Sequence, residues 1–213
     1  MSSQLVASLI AVAIILLVGF PIHEFSHALA ADRLGDRTAR YLGRLSLDPR
    51  VHFDPLGAGF LVLSAIAGGF FIGWAKPTPV NPSNLEGGRH GEAAVAAAGP
   101  VSNLIMAALV AVAVRLINTF NLLPPYAGSA QEMLWLVLNY LVIINVFLFV
   151  FNLIPIPPLD GYRVMMGLVS PRTAWQLRQY EQYGFLLIIV VFLLGGPIIG
   201  PIGQHIYAFL VGA

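Results

Sequence analysis

Apolar runs long enough to cross a bilayer recur along this chain, and they remove most folds from consideration. Hydrocarbon offers no water to satisfy backbone polar groups, so a spanning segment must be a helix or part of a closed barrel. Runs of roughly 18 or more apolar residues argue for helices. The first run extends from about Gln4 to Ala31, the second from Leu56 to Trp74, the third from near Gly91 through Gly99-Pro100 to about Asn118, and the fourth from Glu132 to Ile154. Two last runs, Tyr183 to Leu194 and Ile198 to Gly212, are split by Gly195-Gly196-Pro197. Only 10% of the 213 residues are charged and 58% are apolar, against about 25% charged in a soluble domain. The expected fold is an all-α integral membrane protein: a polytopic helical bundle forming one domain over residues 1–213, with no repeat and no appended soluble domain. A net charge of +1 without a basic tract gives no reason to expect nucleic acid. Met1-Ser2-Ser3-Gln4 lacks the positive residues that open a signal peptide, so the first run reads as a retained helix.

The chain has no cysteine, which excludes disulfides, thiolate metal sites and a thiol nucleophile. Any metal must use imidazole and carboxylate. His23-Glu24-Phe25-Ser26-His27 closes the first run. Histidines four apart on a helix lie on one face and can chelate a single tetrahedral ion. Glu24 stands beside them as a general base for a metal-activated water. Chance occurrence, or histidines that merely pack helices, would explain the letters alone. Three ionisable side chains within five residues of a spanning segment favour function, because such groups are costly in a membrane. A catalytic zinc needs a third protein ligand and one open position. Asp48 lies at the distance common in soluble metalloproteases. Asp160 is preferred, since the proline-rich stretch Pro155 to Pro158 stiffens its approach and Gly161 permits close backbone contact. A competing role for Asp160 is the N-cap of an amphipathic helix over Gly161 to Val169.

His-Glu-Phe-Ser-His on the first helix, Gly99-Pro100-Val101-Ser102-Asn103 and Phe151-Asn152-Leu153-Ile154-Pro155-Ile156-Pro157-Pro158-Leu159-Asp160-Gly161 together resemble the site-2 proteases, intramembrane metalloproteases that cut transmembrane helices. The resemblance covers roughly residues 10–170. The stretches LSLDPRVHFDPLG and WAKPTPVNP look like the small prokaryotic branch without a PDZ or CBS domain. It implies that His23, His27 and Asp160 ligate one Zn2+ per chain, that Glu24 is the base, and that Asn152 lies near the reacting carbonyl. Asn152 also suits an interhelical bond, with Asn145 seven residues earlier on the same face. Asn103 reads as a packing residue. His52 and Asp54 fit an interfacial loop as well as a place beside the site, and His90 and His205 lack a chelating partner.

Charge sets the expected topology. Of eleven Lys and Arg, seven lie between residues 32 and 90 and three between 155 and 182, while 119–131 has none. The positive-inside rule places the first two regions in the cytoplasm and the third outside. Arg115, the exception, suits snorkelling near an outer helix end. Asp160 can then reach His23 only if the second run dips into the membrane and returns, so a re-entrant or strand-containing segment is expected between the first and second full spans. By helix rise His27 lies about 6 Å, and His23 about 12 Å, below the helix end. This puts the site towards the cytoplasmic side of a multi-pass protein of the cell membrane. Its expected partners are the lipid bilayer and a transmembrane protein substrate. Tyr41 to Leu47 alternates like a strand, and it and Pro77 to Asn81 are candidate edges for holding an unwound substrate. The rival function is a zinc carrier or scaffold without hydrolysis. A carrier would spread its ionisable groups along several helices; here they gather at one point.

Overall fold

The computed structural model describes residues 2–67, 73–122 and 130–212. Its first helix is α1 (Ser3–Ile14), which passes through a π-turn at Ile15–Gly19 into α2 (Phe20–Arg33). π-turns inside helices are rare and concentrate at functional sites; this one immediately precedes the histidine pair. Gly35, at φ 99°, ends the helix as only glycine does easily. The short helices α3 (Thr38–Tyr41) and α4 (Pro49–His52) follow, then α5 (Pro55–Ala67). Beyond it come α6 (Arg89–Phe120), α7 (Ala130–Asn152), α8 (Asp160–Leu168), α9 (Pro171–Arg178), α10 (Gly184–Leu194) and α11 (Gly196–Val211).

Among the described residues, three helices are long and apolar enough to cross a membrane: Ser3–Arg33, Arg89–Phe120 and Ala130–Asn152. One core joins Ala7, Ala11, Val12 and Ile15 to Leu61 of α5 and to Leu141, Ile144 and Leu148 of α7. A second joins Ala107, Ala111 and Val114 of α6 to Val142 and Val146 of α7 and Val211 of α11. Small residues dominate the α6 side of that contact, as expected where helices approach closely in lipid.

The strand expected over Tyr41 to Leu47 is absent, and no strand occurs among the described residues. Asp36 supplies the reason. Its Oδ1 accepts from the Thr38 N–H at 3.1 Å and the Thr38 hydroxyl at 2.6 Å, which starts a helical turn over Thr38–Tyr41. Gly43, at φ 70°, then breaks any alternation. The second apolar run is helical over Pro55–Ala67, and the middle of the expected re-entrant segment, 68–72, lies outside the described residues. So does most of the expected outer loop, over 123–129. Residues 73–76 return along α5. A Cβ on Gly57 would sit 1.9 Å from the Trp74 carbonyl oxygen, and the Phe60 and Trp74 rings lie 5.4 Å apart. The Lys76 N–H donates to the His52 carbonyl at 2.8 Å.

Candidate metal centre

α2 presents His23 and His27 one turn apart, both buried, with ring centroids 4.7 Å apart and planes at 84°. The Val95 carbonyl of α6 lies 2.8 Å from His27 Nδ1. A carbonyl can only accept, so Nδ1 carries the proton and Nε2 keeps its lone pair towards the site. The two Nε2 atoms are 3.1 Å apart, and Asp160 Oδ2 lies 3.3 Å from each. Tetrahedral coordination with bonds of about 2.0–2.1 Å needs donor separations of about 3.3 Å. The separations within the triangle fit such an ion. The triangle is the one group of three or more His, Asp or Glu donors drawn together among the described residues.

Gly99 makes room for the pair. A Cβ there would lie 2.2 Å from His27 Nε2 and 2.7 Å from His23 Cε1, so any side chain would displace both imidazoles. Pro100 withdraws an N–H from the same helix and crowds the carbonyl four residues back, loosening the stretch in which Val95 offers its oxygen. Asn103, one turn further along α6, is buried with neither amide atom hydrogen-bonded to a described residue.

Asp160 reaches the histidines because α8 is clamped at both ends. Gly161 closes on the Leu153 carbonyl, where a Cβ would lie 2.2 Å from the oxygen, and Gly167 packs against Ala93 with no room for a side chain. Arg89 donates through Nε and Nη2 to the Met166 carbonyl, at 3.2 and 2.5 Å, and also to the Val169 carbonyl. Tyr162 donates to Glu181 at 3.1 Å, and burial followed by that carboxylate pushes its phenol up to about 12. Asp160 is the first residue of α8, whose N-cap is Leu159 without a side-chain bond, so the capping alternative is not taken. Asp48 does that work instead. It caps α4 through the Arg50 N–H at 2.9 Å, and Arg50 holds its carboxyl down at about 2.

Glu24 is buried beside the pair, and one carboxylate oxygen accepts from the Thr78 N–H at 2.7 Å. The Thr78 hydroxyl donates to the Glu24 carbonyl at 3.0 Å, so the extended 73–81 segment crosses α2 at the middle of the His-Glu-x-x-His turn. Sequence reading placed Pro77 to Asn81 as an extended edge without finding this bond. The signal was present: Pro77 and Pro79 have no N–H, which leaves Thr78 as the sole backbone donor of the triplet. Asn152 ends α7 partly buried, and no hydrogen bond among the described residues uses its side chain. Asn145 bonds within its own helix, to the Leu141 carbonyl at 2.9 Å. His52 lies fully buried and is not among the clustered donors, while Asp54 accepts from the first N–H groups of α5. Arg115 donates to the Phe209 and Leu210 carbonyls, closing the end of α11.

The model of peptidase family M50 matches residues 117–196, a span that includes Asn152 and Asp160. The Bacillus subtilis protein named "Putative zinc metalloprotease YwhC" is 38% identical over 194 residues, covering 88% of this chain and 83% of its own length. The Mycobacterium tuberculosis protein named "Putative zinc metalloprotease Rip2" is 34% identical over 178 residues, and the Mycolicibacterium smegmatis protein of the same name is 31% identical. Those alignments cover 83% of this chain and 64% of either Rip2 protein. No solved structure matches the chain.

Proposed function

Because the chain belongs to peptidase family M50, the site-2 proteases, we propose that it is an intramembrane zinc endopeptidase acting in or near transmembrane segments of membrane-protein substrates. One observation carries the reading: three donor atoms 3.1–3.3 Å apart, drawn from His23, His27 and Asp160, with Glu24 on the same turn of a helix long enough to span. His23, His27 and Asp160 would hold one zinc ion. When bound, zinc polarises the scissile carbonyl and acidifies the attacking water. Glu24 takes the water's proton on its carboxylate and delivers it to the leaving amine nitrogen. The Thr78 N–H holds that carboxylate at one oxygen and leaves the other for the water. Asn152 stands at the end of α7 as a donor to the developing oxyanion.

Residues 1–213 act as a single domain of the cell membrane with the site towards the cytoplasm. The 55–81 segment enters and returns on that side. By Gly73 and Trp74 the chain is already back against the start of α5, where a Cβ on Gly57 would lie 1.9 Å from the Trp74 carbonyl oxygen. The bond from the Lys76 N–H to the His52 carbonyl brings the two ends of the segment together. The substrate helix unwinds before attack, since helical peptide bonds are shielded.

Glu24→Gln tests the chemistry. It should retain zinc and lose cleavage of a transmembrane peptide by more than about 100-fold, because it removes the base and no ligand. Loss of zinc together with activity would make Glu24 structural, and a wild-type protein that binds zinc without cleaving would return the carrier or scaffold reading. Topology has its own test in a chain without cysteine. Single cysteines at Ser46 and Ser83 should both react with an impermeant thiol reagent from the cytoplasmic face only. Reaction from opposite faces would mean that the second run crosses.

A further inference from the structure

We propose that Arg44 is a positioning residue for Glu24, acting through the extended 73–81 segment; the proposal rests on Glu24 being the base. Arg44 is 7% exposed, and no carboxylate among the described residues pairs with it. A buried guanidinium with no carboxylate in contact is costly unless its donors are well placed; here Nε has no hydrogen-bond partner among the described residues, and the negative charge acting on the group is that of Glu24. The donors of Nη2 go to two consecutive carbonyls, Lys76 at 2.5 Å and Pro77 at 3.2 Å. The same atom lies 3.5 Å from His52 Nδ1. His52 donates through Nε2 to the Ser46 carbonyl at 2.7 Å, which leaves Nδ1 unprotonated and facing the guanidinium. Lys76 is therefore gripped on both sides, its carbonyl by Arg44 and its N–H by the His52 carbonyl at 2.8 Å.

Two residues further on, the Thr78 N–H meets Glu24 Oε2. Proline at 77 and 79 fixes φ on either side, so a register set at Lys76 is transmitted to Thr78 with little slack. Arg44 thus fixes where the Glu24 carboxylate points without touching it. Both carbonyls are met by the one nitrogen Nη2, carried on a planar group stiffer than the flexible stem of a lysine.

Hydrogen exchange at the Thr78 amide reads this linkage without metal or substrate. In the segment Lys76 to Val80 only Lys76, Thr78 and Val80 carry an exchangeable backbone amide, so mass spectrometry resolves the site. Wild-type protein should protect Thr78. Arg44→Gln should speed its exchange by about tenfold or more while α6 and α7 stay protected, Arg44→Lys should recover part of the protection, and Glu24→Ala should speed Thr78 alone. Unchanged Thr78 protection in Arg44→Gln or Arg44→Lys overturns the proposal. Turnover supplies the second readout. Thr78→Pro deletes the N–H in a context already extended and should lower kcat by about 10- to 100-fold with zinc content and KM little changed, whereas Thr78→Val, which keeps the N–H and loses the hydroxyl bond to the Glu24 carbonyl, should lower it less. Wild-type kcat in Thr78→Pro, or a loss confined to KM or zinc content, also overturns it. Full activity in Glu24→Gln would instead sink the assignment of the base, leaving the exchange result to stand as a structural linkage.

Discussion

The bundle around α2, α6 and α8 and the C-terminal pair α10–α11 use the same apolar residue types, yet they meet their surroundings differently. In the first, helices approach until glycine is obligatory at 99, 161 and 167, and His23, Glu24, His27, Asp36, Arg44, His52 and Thr78 are buried among the apolar side chains. In the second, α10 exposes Leu186, Ile189, Val190, Leu193 and Leu194, and α11 buries only Ile199 and Val211 among its described side chains. Apolar burial drives no helix association in lipid, because the tails are as apolar as leucine. Close packing and polar bonds must do that work, and here they concentrate around the candidate metal centre. The C-terminal pair is held by few specific bonds. It should therefore be the more tolerant of change.

The widest expected gap lies between the two aspartates weighed as the third ligand, Asp160 and Asp48. Asp160→Ala removes a donor from the 3.1–3.3 Å triangle and should weaken zinc binding by more than the roughly 100-fold seen for groups that only support a ligand. Asp48→Ala removes a cap and an exposed Arg50 pair and should leave zinc stoichiometry unchanged. Metal analysis after dialysis against a chelator separates them. Zinc lost from Asp48→Ala and kept by Asp160→Ala would dissolve the contrast between the regions.

Much of this contrast was legible in the chain. The spans are written in long apolar runs, and the histidine pair in its four-residue spacing. The third donor was harder, since an aspartate before a short helix reads equally as a cap, and only the placement of α8 against α6 decides between the roles. Val95 was invisible because its contribution is a backbone carbonyl, which every residue has. Arg44 and Asp36 were hidden by the loop they stabilise. The alternation in Tyr41 to Leu47 imitates a strand, and what cancels it is the turn that Asp36 starts at Thr38, with Asp36 itself held by the Asn81 N–H, 45 residues away, at 2.7 Å.

A smaller effect is expected at Asp36, a fully buried carboxylate in the turn after α2. Burial raises its carboxyl, but bonds from Thr38, Asn81 and Asn84 outweigh that and leave it below the ordinary carboxylate value. A depressed folded-state value means that its contribution is complete above the unfolded value of about 4 and is lost as pH falls through the folded one. Asp36→Asn should cost on the order of 2 kcal/mol at neutral pH. Its stability should also vary less with pH between about 5 and 2 than that of the wild type. Parallel stability curves for the two proteins across that range would show that the Asp36 network contributes no charge-dependent stability.

The smallest effect belongs to the C-terminal pair. Tyr207 donates its hydroxyl to Asn139 Oδ1 at 2.5 Å, and the Asn139 amide in turn donates to the Trp135 carbonyl at 2.8 Å. This is the clearest polar tie from α11 to α7, and α7 carries the chain on to Asp160. Tyr207→Phe keeps the ring and its packing, so it isolates the hydrogen bond. Interhelical bonds of this kind average about 0.6 kcal/mol in membranes, because the separated helices also find partners. The variant should lose on the order of 1 kcal/mol or less, a shift in Tm of a few degrees, with zinc content and peptide cleavage as in the wild type. Thermal unfolding in detergent, measured beside zinc stoichiometry, is enough to tell. If Tyr207→Phe loses zinc or turnover while remaining folded, α11 is coupled to the metal centre through α7, and the C-terminal pair would have to be counted as part of the site's support.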